Sequence, residues 1–218
     1  MTCIVGFLHK DTVYLAGDSA GTDDNFSQQI RKDPKVFQNG PFIFGFTSSF
    51  RMGQILMSSK FKPWKQKSDQ SDYDYMITDF IDALREAFKE GGYLQKREEG
   101  DEIGGTFLVG YKGQLYYVED DFQVGEVYDP YLSVGCGSDL ALGSLFTQTR
   151  ELEIKDPEWD GDDIINMLIL SLDAASRYSA GCKPPYNIIS MNKLDSTQYA
   201  NKLKSKPLVK KKDKDKED

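Results

Sequence analysis

Histidine is all but missing from this chain of 218 residues: His9 is the only one, so any Ser-His-Asp or Cys-His mechanism would have to run through it. His9 sits beside Lys10 and Asp11 where a strand-to-strand turn is expected, which points to a solvated surface residue. Hydrolytic chemistry in this chain therefore has to be sought without histidine. Cysteine is scarce too. Cys3, Cys136 and Cys182 are an odd number at wide spacing, which suits neither a disulfide framework nor the close ligand pairs of a zinc site, and reduced, mostly buried thiols are expected. No run approaches the roughly 18 apolar residues of a membrane span. The start, Met1-Thr2-Cys3, lacks the basic flank, long apolar stretch and small-residue cleavage site of a secretory signal, so a cytoplasmic protein is expected.

Positive charge is also thin outside the C-terminal end. From Lys202 to Asp218 the chain takes eight of the 27 lysines and arginines and four of the 35 acids, leaving 19 basic against 31 acidic residues in the body. Nucleic acid binding depends on lysine and arginine neutralising phosphates, so an acidic body argues against it. The length fits one domain, expected over residues 1–200, with 201–218 as a charged, low-complexity tail of disordered character.

What is present begins with strands. Thr2–Leu8 and Thr12–Asp18 are β-branched and aromatic runs either side of a short turn, and Lys35-Val36-Phe37 and Phe42–Thr47 flank the turn Asn39-Gly40-Pro41. A helix follows from about Phe50, and a loop from Ser59 to Asp72. Met76, Ile77, Phe80, Ile81, Leu84, Ala87 and Phe88 then keep the spacing of an amphipathic helix, with Asp79, Asp82, Arg85, Glu86 and Lys89 as its solvated face. Strands return at Thr106–Tyr111, Leu115–Glu119 and Tyr131–Gly135. Ser138 is a candidate cap for the next helix, and Asp160 or Asp162 for the one after. Ile164, Ile165, Met167, Leu168, Leu170 and Leu172 make that last helix apolar on nearly every side, as expected of one sandwiched between layers or subunits. Tyr186–Met191 reads as a final strand. Strands grouped with strands and helices with helices point to an α+β fold with layered sheets. Gly91-Gly92 and Gly104-Gly105 lack the context of a phosphate loop.

Chemistry without histidine is available to a hydroxyl residue at the start of a mature chain, where the free α-amine serves as the base for its own side chain. Thr2 meets that requirement once Met1 is removed, and threonine is small enough for ordinary initiator-methionine removal. In this light Thr2-Cys3-Ile4-Val5-Gly6, the segment Ala16-Gly17-Asp18-Ser19-Ala20-Gly21-Thr22, Lys35-Val36-Phe37 and Asn39–Ser49 are informative together. So are Val134-Gly135-Cys136-Gly137-Ser138 and Arg177-Tyr178-Ser179-Ala180-Gly181. In order and spacing these segments resemble the proteasome β-subunit family of N-terminal nucleophile (Ntn) hydrolases, including the bacterial proteasome-like proteases, over roughly residues 2–191.

The resemblance implies a four-layer αββα sandwich and a threonine-dependent amide-bond hydrolase, most simply a peptidase. Thr2 would be the nucleophile, with Asp18, Lys35, Cys136 and Ser179 around it. Lys35 beside the α-amine would lower the amine's pKa by like-charge repulsion, and Asp18 would offset the cost of burying the lysine. The backbone N–H at Ser49 would serve the oxyanion, although the family has glycine there, and Thr22 and Thr47 would flank a channel where peptides add as strands. The resemblance further implies a homo-oligomeric ring and leaves room for a partner ATPase; it implies no metal or organic cofactor. The chain departs from the pattern at Cys136, where the family has serine, and at Ser176, where it has aspartate. Those departures keep open a catalytically silent scaffold of the same fold; an Ntn amidase acting on small molecules is a second alternative, marked by a closed pocket in a monomer or dimer.

Overall fold

The computed structural model describes every residue except 24, 26, 99, 156–158 and 204–218, and only the backbone of 151–155. Most of the expected tail thus lies outside the described residues. The first half runs β1 (Cys3–His9), β2 (Thr12–Gly17), β3 (Ala20–Thr22), β4 (Gln28–Ile30), β5 (Val36–Asn39), β6 (Phe42–Phe46) and α1 (Phe50–Met57), then α2 (Asp72–Tyr75), a π-helical turn (Met76–Phe80) and α3 (Ile81–Glu90). The second half runs β7 (Gln95–Arg97), β8 (Gly100–Glu102), β9 (Phe107–Tyr111), β10 (Gln114–Val118), β11 (Val124–Glu126), β12 (Tyr131–Gly135), α4 (Ser138–Lys155), α5 (Gly161–Tyr178), β13 (Asn187–Asn192) and α6 (Lys193–Ala200).

Two antiparallel sheets face each other, one ordered β12-β1-β2-β13 and the other β11-β10-β9-β6-β5. Strands buried on both faces alternate between two apolar interiors, and the side chains divide accordingly. Cys3, Val5 and Phe7 of β1 pack under α4 and α5 with Leu145, Leu168 and Leu172, while Ile4 points the other way, toward Ile43 and Leu108 of the second sheet. Phe42, Phe44 and Phe46 of β6 and Phe107 of β9 meet Phe80, Leu84 and Phe88 on the far side. Three separate apolar clusters between four layers make the α+β, αββα sandwich, and each phenylalanine buried this way contributes roughly 1.5–3 kcal/mol of transfer free energy.

Several local expectations need correcting. Asp79 is buried rather than solvated, with Gln70 Nε2 donating to its Oδ2 at 3.2 Å. The π turn is the reason: it inserts an extra residue per turn, so the face read from 3.6-residue periodicity rotates there. His9 is not a free surface residue either; its ring lies 6.0 Å from that of Trp159 and its Nε2 is buried. Cys136 is exposed, in contrast to Cys3 and Cys182. The small ribbons β3-β4 and β7-β8 lie in stretches too polar to read as strands, and α6 was not anticipated. Asp160, not Asp162, caps α5, its carboxylate accepting from the backbone N–H groups of Asp162 and Asp163.

Candidate functional site

Register alone brings the N-terminal segment and its neighbours together. β1 pairs with β12 through Cys3 opposite Gly135, so one further step places Cys136 across from Thr2. It pairs with β2 through Ile4 opposite Gly17, so one step back places Asp18 across from Cys3. Gly17 carries no side chain; a Cβ there would lie 2.8 Å from Ile4 Cδ1 and 3.5 Å from Lys35 Cβ, and its absence lets Lys35 from the other sheet lie against β2.

Asp18 is the hub. Its Oδ1 accepts from Lys35 Nζ at 2.8 Å and from the backbone N–H of Cys3 at 3.0 Å, so one oxygen holds the ammonium and the amide that follows Thr2. Its Oδ2 accepts from the backbone N–H groups of Ala20, at 2.8 Å, and Lys183, at 3.1 Å. The two side chains are 0% and 1% exposed. Removing both charges from water costs several kcal/mol per ion, and four donors on one carboxylate are what such burial requires. Sequence reasoning placed the pair but missed the Lys183 amide, which arrives from the turn between α5 and β13.

Thr2, 4% exposed, stands at the open end of this hub. Its Oγ1 donates to the Met1 carbonyl at 2.7 Å, and Lys35 Nζ reaches the same oxygen at 3.5 Å. Hydroxyl and ammonium therefore converge on one atom. On the other side, Thr2 N–H donates to Cys136 Sγ at 3.2 Å, the Cys136 thiol donates back to Thr2 O at 3.3 Å, and Ser179 Oγ lies 3.5 Å from the same sulfur. Cys182 Sγ is 4.0 Å from it. The hydrogen bond with Cys182, then burial, push the Cys136 thiol well above its ordinary range. For Cys182, a lowering hydrogen bond with Cys136 is outweighed by Cys3 and burial, leaving it pushed up to about 12.

The flanking residues separate into two groups. Thr22 and Ser48 line a cleft of about 250 Å³ beside Met1, together with Gln29, Arg31 and Phe50. Thr22 Oγ1 is buried there without a hydrogen-bond partner among the described residues, so a polar group entering the cleft would satisfy it. Arg31 stacks on the Phe50 ring, its guanidinium carbon 4.0 Å from the centroid, and grips Asp33 through Nε and Nη2. Thr47 is buried at the end of β6, its hydroxyl donating to Thr106 O at 2.6 Å, with Gly135 close to its methyl. Ser49 caps α1, accepting from Arg51 N, and the residue before it, Ser48, takes a left-handed backbone with φ 61°. That turn is costly for a residue with a Cβ and was not foreseen from the sequence. Ser176, where an aspartate was expected from the resemblance, accepts at its carbonyl from Lys183 Nζ at 3.2 Å. Among the described residues, no cluster of three or more histidine, cysteine or acidic side chains is placed to hold a metal ion, and no helix is long and apolar enough to cross a membrane.

Two facing antiparallel sheets between helical layers make the proteasome-like Ntn hydrolase fold, and this chain has it. Similar solved structures share this fold. BPH from Thiobacillus denitrificans, solved in complex with epoxomicin, superposes with a TM-score of 0.67 at 18% identity, covering 88% of this chain and 98% of that one. HslV from Trypanosoma brucei gives 0.59 at 17%, covering 88% and 99%. The Gly-1 mutant of Anbu from Hyphomicrobium sp. strain MC1 gives 0.59 at 15%, covering 88% and 82%. No protein-family model matches the chain, and no curated protein does.

Proposed function

We propose that this protein is a threonine-dependent amide-bond hydrolase, a peptidase of the proteasome β-subunit type, with Thr2 as its nucleophile after Met1 is removed. The observation that carries the reading is the convergence of Thr2 Oγ1 and Lys35 Nζ on the Met1 carbonyl, with Asp18 behind the lysine. Removal of Met1 turns the Thr2 nitrogen into a primary amine within reach of Thr2's own hydroxyl. The neighbouring ammonium disfavours a second positive charge there, which leaves the amine free to take the hydroxyl proton as the oxygen attacks a peptide carbonyl. Ser179 and Cys136 orient that amine. The N–H of Ser49, on the turn made by Ser48, meets the developing oxyanion, and Thr22 holds the substrate strand in the cleft.

Support for a homo-oligomer, a ring in this reading, comes from the outer face of α4 and α5. Phe146, Leu170 and Tyr178 stand exposed there, Tyr178 at 77%, which is the kind of surface a second copy covers. The scaffold reading rests on one specific observation, Ser176: the position that would hold a carboxylate near the amine offers only a hydroxyl, with Lys183 beside it.

One experiment separates the two. Intact mass of the purified protein, before and after incubation with epoxomicin, is expected to show loss of Met1 and then a single adduct located on Thr2. A fully processed chain that forms no adduct and cleaves no peptide would leave the scaffold.

A further inference from the structure

The three cysteines are far apart in sequence but meet in space. Cys136, at the end of β12, and Cys182, in the turn between α5 and β13, bring their sulfurs within 4.0 Å. The approach is built by two glycines in reciprocal positions. A Cβ on Gly137 would lie 2.8 Å from Cys182 Sγ, and one on Gly181 would lie 2.8 Å from Cys136 Sγ. Each sulfur thus rests over the glycine next to the other cysteine, and a side chain at either glycine would push the pair apart. Cys136 is exposed, Cys182 is fully buried, and no disulfide joins them.

We propose that Cys136 and Cys182 form a redox modification site, in which a peroxide-class oxidant converts the two thiols to a disulfide and so withdraws Cys136 from the Thr2 nitrogen. The exposed Cys136 sulfur takes one oxygen atom from hydrogen peroxide, giving a sulfenic acid and one water. The buried Cys182 sulfur then attacks the Cys136 sulfur; the S–O bond breaks, the S–S bond forms, and hydroxide leaves with the Cys182 proton as a second water. Two thiols are oxidised and one peroxide is reduced. Closing the gap from 4.0 Å to a bond of about 2.05 Å requires the sulfurs to turn toward each other. Turning moves Cys136 Sγ away from the Thr2 nitrogen, 3.2 Å off in the reduced form, and removes the thiol proton now donated to Thr2 O. The disulfide also braces the turn whose Lys183 N–H reaches Asp18. The thiolate is the reacting form, so the raised thiol pKa values make the reaction slow near neutrality and faster as pH rises.

Peptide mapping of the full chain after treatment with hydrogen peroxide, without reduction, tests the site. The expected product is a cross-linked pair of peptides carrying Cys136 and Cys182, formed faster at higher pH and reversed by dithiothreitol. Oxygen adducts on Cys136 with no cross-link, or two thiols that stay free, would overturn the proposal. So would a cross-link to Cys3. Cys182→Ser should abolish the cross-link, and wild-type mapping stands whether or not that variant folds. The effect on rate rests on the proposed function: hydrolysis should fall roughly tenfold or more on oxidation and return on reduction. An unchanged rate in a cross-linked protein would sink the withdrawal of Cys136. A reduced protein that cleaves nothing would sink the hydrolase reading and leave the cross-link to be judged by its mass alone.

Discussion

Of the lysine–carboxylate pairs that tie distant segments of this molecule together, Lys35–Asp18 is closed to water and Lys112–Asp72 is open to it. Lys35 and Asp18 sit 2.8 Å apart between the sheets, 1% and 0% exposed, with backbone amides from three segments completing the carboxylate's shell. Lys112 and Asp72 sit 3.0 Å apart on the rim, 19% and 34% exposed, in a network with Gln66 and Tyr111. The distances hardly differ; the solvation does. A half-exposed pair competes with water and gains little, whereas a dry pair fixes geometry because either partner alone would be an uncompensated charge. Between these two, only the dry pair can hold a full positive charge at a defined point beside Thr2. Near-equal distances therefore mark a rim brace in one place and, in the function proposed above, the lysine that acts on the Thr2 amine in the other.

The largest expected effect breaks the comparison on the functional side. Thr2→Ala should reduce peptide hydrolysis by at least about 10³-fold, because it removes the nucleophilic oxygen of the proposed mechanism, while Lys112→Ala should leave the rate within about twofold of wild type. Equal losses from the two variants, measured as kcat/KM on one fluorogenic peptide, would mean that chemistry does not start at Thr2. Next comes stability. Lys35→Ala leaves the Asp18 carboxylate buried without its cation and should cost about 3–5 kcal/mol in denaturant unfolding, against about 1 kcal/mol or less for Lys112→Ala. Similar midpoints for both would show that the buried pair is wetter than its burial implies.

Much of this comparison was legible in the sequence, and the parts that were not share a cause. Thr2, Asp18 and Lys35 were picked out by their order and spacing in segments that resemble the proteasome β-subunit family; antiparallel register then sets Asp18 across from Cys3, and Lys35 arrives from the facing sheet. The sheets, the amphipathic region around Phe80 and an aspartate cap at Asp160 or Asp162 were readable because local pattern and local chemistry agree there. What escaped depends on neighbours remote in sequence. The Lys183 amide on Asp18 and the Cys136–Cys182 contact join segments whose spacing carries no signal. The buried state of Asp79 follows from a π turn, which a 3.6-residue template cannot register. The left-handed Ser48 conceals itself because serine, unlike glycine, does not advertise a positive φ.

Ser176→Asp sharpens the comparison by restoring the carboxylate that the family resemblance leads one to expect at this position. Lys183 Nζ already lies by the Ser176 backbone, so the new charge has a partner. Hydrolysis should rise by up to roughly tenfold if orientation of the amine limits the rate. A fall, with the fold retained by circular dichroism, would mean that Ser176 belongs to the working arrangement of this chain.

The smallest effect comes from a more exposed pair, Arg31 and Asp33, whose side chains are 35% and 43% exposed. The Arg31 hydrogen bond holds the Asp33 carboxyl below its ordinary value of 3.8. A carboxyl with a lowered folded pKa adds stability above its unfolded pKa and loses it as pH falls through the folded value. Solvent screening keeps that contribution under about 1 kcal/mol. In Arg31→Ala the Asp33 carboxyl should titrate closer to the ordinary value, followed by its NMR carboxyl shift, and the extra acid-side loss of stability should vanish. If the titration is the same in both proteins, the bidentate contact between Arg31 and Asp33 does not persist in solution. The cleft wall beside Thr22 is then less rigid than the stacking of Arg31 on Phe50 indicates.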